Sequence, residues 1–101
     1  MKFFVIGDEE TVLGFKLAGV EGKVISDKEE LLTEIKNLME SGKYGVIIIT
    51  TQLVNKIRDY VEELMFKSSF PLILEIPDRK SLDTYGINVR EIIRKTVGIK
   101  V

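Results

Sequence analysis

Phe3-Phe4-Val5-Ile6-Gly7-Asp8-Glu9-Glu10, continuing as Thr11-Val12-Leu13-Gly14-Phe15-Lys16-Leu17-Ala18-Gly19-Val20, sets an apolar run directly against a charged helix start. The run Phe3 to Ile6 reads as a buried strand ended by Gly7. Asp8 reads as the N-cap of the following helix, and Glu9 and Glu10 favour its positive end. Strand, tight turn and helix open a nucleotide-type α/β domain. Where such a domain carries a phosphate-cradling glycine loop, this chain carries three carboxylates, which repel phosphate. Gly7, Gly14 and Gly19 also lack the spacing of a dinucleotide fingerprint.

The rest of the chain keeps alternating. Gly19 or Gly22 stops the first helix, and Lys23 to Ile25 is a short second strand. Ser26 with Glu29, or Asp27 with Glu30, forms a capping box. The helix behind it carries Leu31, Leu32, Ile35, Leu38 and Met39 on one face and ends at Gly42. Val46-Ile47-Ile48-Ile49 is β-branched and reads as a central strand buried on both faces. Thr50 or Thr51 caps a third helix with Leu53, Val54, Ile57, Tyr60, Val61, Leu64 and Met65 on one stripe. Pro71 and Pro77 bracket a fourth strand, Leu72 to Ile76, in which Glu75 marks a half-exposed edge. Residues 78 to 87 are polar, contain Gly86 and read as a hinge. Asn88 caps a last helix, Val89 to Val97, closed by Gly98. The expected organisation is a core over 1–77, a hinge over 78–87 and a C-terminal helical segment over 88–101.

This alternation predicts a three-layer, flavodoxin/CheY-like (Rossmann-like) fold with a four-stranded parallel sheet in the order 2-1-3-4, plus a C-terminal helix. Right-handed crossovers then place the first helix alone on one face and the next two on the other. Strands 3 and 4 are bare on the first helix's side unless the last helix docks there. That helix shows Val89, Ile92, Ile93 and Val97 on one side and Arg90, Arg94 and Lys95 on the other. It either completes the core or leaves it to grip a partner.

Composition narrows the chemistry. The chain has 101 residues, 45% hydrophobic and 31% charged, which fits one globular domain. The charged fraction suits a thermophile or an assembly subunit. With no His and no Cys there is no imidazole base, disulfide, thiolate nucleophile or ordinary zinc site. The net charge of −1 offers no field for nucleic acid. No apolar run approaches the roughly 20 residues that span a bilayer. The short apolar N-terminus reads as a strand instead of a signal peptide, so a cytoplasmic setting is expected.

Asp8, Glu9 and Glu10, with Thr50, Thr51 and Asp78, fall at the carboxyl ends of the strands, where such folds bind ligands. A response-regulator receiver holds Mg²⁺ there and phosphorylates an Asp after strand 3. This chain has Thr50-Thr51 at that place, so the acids read as helix caps. A degenerate receiver-like domain binding Mg²⁺ through Asp8, Glu9 and Thr50 is the alternative. Gly14 sits mid-helix, where it serves close packing on the sheet or a close external contact. The basic C-terminal helix is a solvated face or a site for an acidic protein partner. No aromatic residues interleave with its charges, which disfavours nucleic acid. Tyr85 reads as a packing anchor.

Two of these segments together resemble one family. Gly7 to Val20 resembles the opening signature of the F subunit of V-type and A-type rotary ATPases, and Pro71-Leu72-Ile73-Leu74-Glu75-Ile76-Pro77 its fourth-strand signature. Asn88 to Ile99 is similar to the C-terminus of the prokaryotic members. The resemblance implies a non-catalytic component of the central stalk without cofactor or metal. It is bound to the coiled-coil D subunit beneath the catalytic A/B head, peripheral to the membrane part of the complex. It also implies contacts and regulation through the C-terminal helix, here Val89, Arg90, Ile92, Ile93, Arg94 and Val97.

Overall fold

The computed structural model describes residues 2–67 and 71–78. Its elements are β1 (Phe3–Gly7), α1 (Glu9–Leu17), β2 (Glu21–Val24), α2 (Lys28–Ser41), β3 (Val46–Thr50), α3 (Thr51–Val54), α4 (Arg58–Lys67) and β4 (Leu72–Ile76). The four strands form one parallel sheet in the order β2-β1-β3-β4, as the alternation predicts. The β-branched β3 lies inside the sheet and every one of its residues is buried. The edge strands β2 and β4 are mostly exposed or half-buried.

Helix starts follow the sequence chemistry. Asp8 caps α1 by accepting from Thr11 N at 3.3 Å and from Thr11 Oγ1 at 2.7 Å. Asp27 caps α2 by accepting from Glu30 N at 3.0 Å, so of the two expected N-caps it is Asp27 and not Ser26. Gly42 ends α2 in the left-handed region, with φ of 66°, a conformation that costs a residue with a Cβ more than it costs glycine.

The two faces of the sheet are unequal. On one side Ile6, Ile47 and Ile49 meet Leu31, Ile35 and Leu38 of α2, Leu53 and Val54 of α3, and Val61 of α4. On the other side, among the described residues, Val5, Val46, Ile48 and Ile76 pack with Val12 and Phe15 of α1, with Phe3 and Val20 partly buried against them. The helices thus divide between the faces as right-handed crossovers require. Burying Phe15 completely is worth about 2–3 kcal/mol and docks α1 to β1 and β2. Leu72 and Leu74, which share a strand face with Ile76, remain 52% and 40% exposed on α1's side.

Two expectations are corrected. β2 spans Glu21–Val24 instead of Lys23 to Ile25, because Gly22 is not a stop. It lies inside the strand, opposite Val5. A Cβ there would meet Val5 Cγ1 at 2.4 Å and Val5 O at 2.8 Å, so the close approach of the two strands requires glycine. The single third helix is two, α3 and α4, joined through Asn55-Lys56-Ile57. Leu53, Val54, Ile57 and Val61 are buried as the stripe requires, Tyr60 and Leu64 are half-buried, and Met65 is exposed.

Candidate functional site

The carboxyl end of the sheet, where a doubly wound domain binds its ligand, begins with closely packed side chains. Gly7 ends β1 and Thr50 ends β3 beside it. The Thr50 methyl occupies the space next to Gly7 so closely that a Cβ on Gly7 would lie 2.6 Å from Thr50 Cγ2. Thr50 and Thr11 are each 2% exposed. Asp8 is turned back onto Thr11, so its carboxylate serves α1. Glu9 and Glu10 lie exposed in the first helical turn. Among the described residues no group of three or more acidic side chains is arranged to hold a metal ion. Asp8, which the receiver-like alternative would use, is engaged with Thr11 instead.

Side chains also tie the ends of β3 and β4 together. Thr51 Oγ1 donates to Ile76 O at 3.1 Å. Gln52 N donates to Asp78 Oδ2 at 3.1 Å. Asp78, the first residue of the expected hinge, is 5% exposed, so the chain is fixed at the point where it leaves the sheet. One turn away, Arg58 crosses from α4 to β4. Its Nη1 donates to Glu75 Oε1 at 2.8 Å and its Nη2 to Glu75 Oε2 at 3.1 Å, a bidentate pair. Arg58 also donates to Asn55 Oδ1. The hydrogen bond from Arg58 holds the Glu75 carboxyl below its ordinary pKa, against the partial burial that would raise it. The same bond raises Arg58. Glu75 was legible as an edge residue, but nothing in the spacing named Arg58 as its partner.

Two surface features remain. Leu13 and Leu17, 58% and 81% exposed, form an i, i+4 pair on the outer face of α1, on the same side of the sheet as the half-exposed Leu72 and Leu74. Gly14 is half-buried on the flank of α1 turned away from Val12, which faces Gly22 of β2. On the other side of the sheet, a cavity of about 410 Å³ opens between the start of α2 and the joint of α3 with α4, lined by Lys28, Leu32, Lys56, Arg58 and Tyr60 among others. This cavity escapes a reading of the sequence, since its residues come from separate helices. The predicted contact residues Val89, Arg90, Ile92, Ile93, Arg94 and Val97, and the hinge beyond Asp78, lie outside the described residues. No helix among the described residues is long and apolar enough to cross a membrane.

A parallel four-stranded sheet in the order β2-β1-β3-β4, with helices on both faces, is a flavodoxin-like α/β domain. The chain belongs to the family of ATP synthase (F/14-kDa) subunits, whose sequence profile matches residues 3–97. It is 40% identical over 107 aligned positions to the F subunit of the A-type ATP synthase of Pyrococcus abyssi, covering 100% of this chain and 98% of that one. It is 34% identical over 99 positions to the F subunit of the A-type ATP synthase of Methanothermobacter thermautotrophicus, covering 96% and 92%. The F subunit of the V-type ATP synthase of Thermus thermophilus is 36% identical over 101 positions, with 96% of each chain covered. The resemblance carried by Gly7 to Val20 and Pro71 to Pro77 is therefore a family relationship that runs the length of the chain.

Proposed function

We propose that this protein is the non-catalytic F component of the central stalk of an A/V-type ATP synthase, acting in the rotor to couple ATP synthesis or hydrolysis to proton or sodium transport. The observation that carries the reading is the end-to-end likeness to the F subunits of that complex. The acids at the carboxyl end of β1 agree with it, because Asp8 caps α1 by accepting from Thr11. The absence of His and Cys from the sequence removes the imidazole base and the thiolate nucleophile of common covalent catalysis. Work is done through protein contacts, with the coiled-coil D subunit and the catalytic A/B head as partners.

In this reading residues 88–101 form a regulatory segment, separable from the core through the hinge at 78–87. Val89, Ile92, Ile93 and Val97 supply an apolar face, and Arg90 and Arg94 supply charge toward the partner. The exposed leucines of α1 and β4 lie on the side of the sheet that carries a single described helix, which suits a contact with a neighbouring protein of the stalk.

The test mixes the full chain with the coiled-coil D subunit of the same organism. Co-elution on size exclusion is expected, with no ATP hydrolysis by the chain alone. Ile92→Glu with Ile93→Glu should leave the thermal unfolding of the core unchanged and alter ATP hydrolysis by the reconstituted complex. Failure of the wild-type chain to join that coiled coil would overturn the reading.

A further inference from the structure

We infer that the basic cavity between α2 and the α3–α4 joint seats an acidic segment of a neighbouring protein in the assembly. The inference rests on the functional reading above and supplies the chemistry of one contact.

The cavity exists because a helix is interrupted. Asn55 N still reaches Thr51 O at 2.9 Å, an α-helical step. Lys56 N and Ile57 N instead reach Leu53 O and Val54 O, each at 3.0 Å, which is the tighter i to i−3 step. A tightened stretch inside a helical segment often accompanies function. Here it ends α3 at Val54, restarts the chain as α4 at Arg58, and leaves about 410 Å³ against the start of α2.

Charge selects the occupant. Lys28, Lys56 and Arg58 line the cavity with only Asp59 of opposite sign, over the apolar Leu32 and the ring of Tyr60. Glu75 answers Arg58 at 2.8 Å, whereas Lys28 and Lys56 form no salt bridge among the described residues. Both lysines are exposed. In a chain of net charge −1, this is a local concentration of positive charge beside an apolar floor. A segment carrying two carboxylates around one apolar side chain fits both halves. Its carboxylates reach Lys28 and Lys56, and its apolar group covers Leu32 and Tyr60. A phosphate fits less well, since no glycine lines the cavity and a small anion would leave Leu32 and the Tyr60 ring uncovered.

The experiment measures binding of the full chain to the remaining soluble subunits of the same organism's ATP synthase, by calorimetry at several salt concentrations. Lys28→Glu with Lys56→Glu should weaken binding about ten-fold or more at low salt and flatten its salt dependence. Lys36→Glu, on α2 but outside the cavity, should change neither. Unchanged circular dichroism establishes that the variants fold. Equal affinity of wild type and the double variant would overturn the inference while leaving the functional reading intact. No binding by the wild type would instead overturn that reading. Saturable chemical-shift changes confined to the cavity on titrating inorganic phosphate or ATP at micromolar concentrations would reassign it to a small anion.

Discussion

Gly7 and Thr50 are coupled through one methyl group. Gly7 is extended, so its lack of a side chain answers a neighbour and not a backbone angle. Alanine there would push its Cβ to 2.6 Å from Thr50 Cγ2. Gly7→Ala should therefore lower stability by about 1–3 kcal/mol. Thr50→Ser deletes the opposing methyl, so adding it to Gly7→Ala should recover most of that loss in a urea titration. Gly22→Ala would have no such rescue, because the obstruction includes the Val5 carbonyl oxygen at 2.8 Å. Double-mutant analysis of Gly7 and Thr50 would read this coupling directly.

Between elements, the Arg58–Glu75 pair joins α4 to the edge strand β4, and its pH dependence follows from its charge. Because Arg58 lowers the folded-state pKa of Glu75, the stabilisation is fully present above the unfolded carboxyl value, about 4.3, and fades as pH falls through the folded value. Glu75→Gln should thus lower the urea midpoint at neutral pH, and the difference from wild type should shrink below about pH 4. A difference that stayed constant down to pH 2 would show that the carboxylate's charge is not what matters. At this scale the sequence was readable where one residue type has one local job: Asp8, Asp27 and Gly42 cap the elements they were expected to cap. It misled where one residue type has several. Gly22 looked like a breaker because its partner Val5 is remote in sequence. The interruption at 55–57 leaves no trace in the apolar stripe, since Leu53, Val54, Ile57 and Val61 stay in phase through a single tightened turn. The cavity beside it depends on two helices meeting, which no local pattern records.

Taken whole, the molecule has no His and no Cys, so no side-chain type in it has an ordinary pKa between about 6 and 9. Its urea midpoint should stay level across that range, and a slope would reveal a Lys or Glu held far from its ordinary pKa. The fixed end of β4 adds a mechanical consequence. An edge strand pulled from its end normally peels away one hydrogen bond at a time. Here Thr51 holds the Ile76 carbonyl and Gln52 holds Asp78, and both belong to the helix that continues directly from the interior strand β3. Tension on the chain beyond Asp78 is shared with β3 before it can open the ladder from Val46–Leu72 to Thr50–Ile76. A load entering at Asp78 therefore reaches the interior strand as well as the edge one.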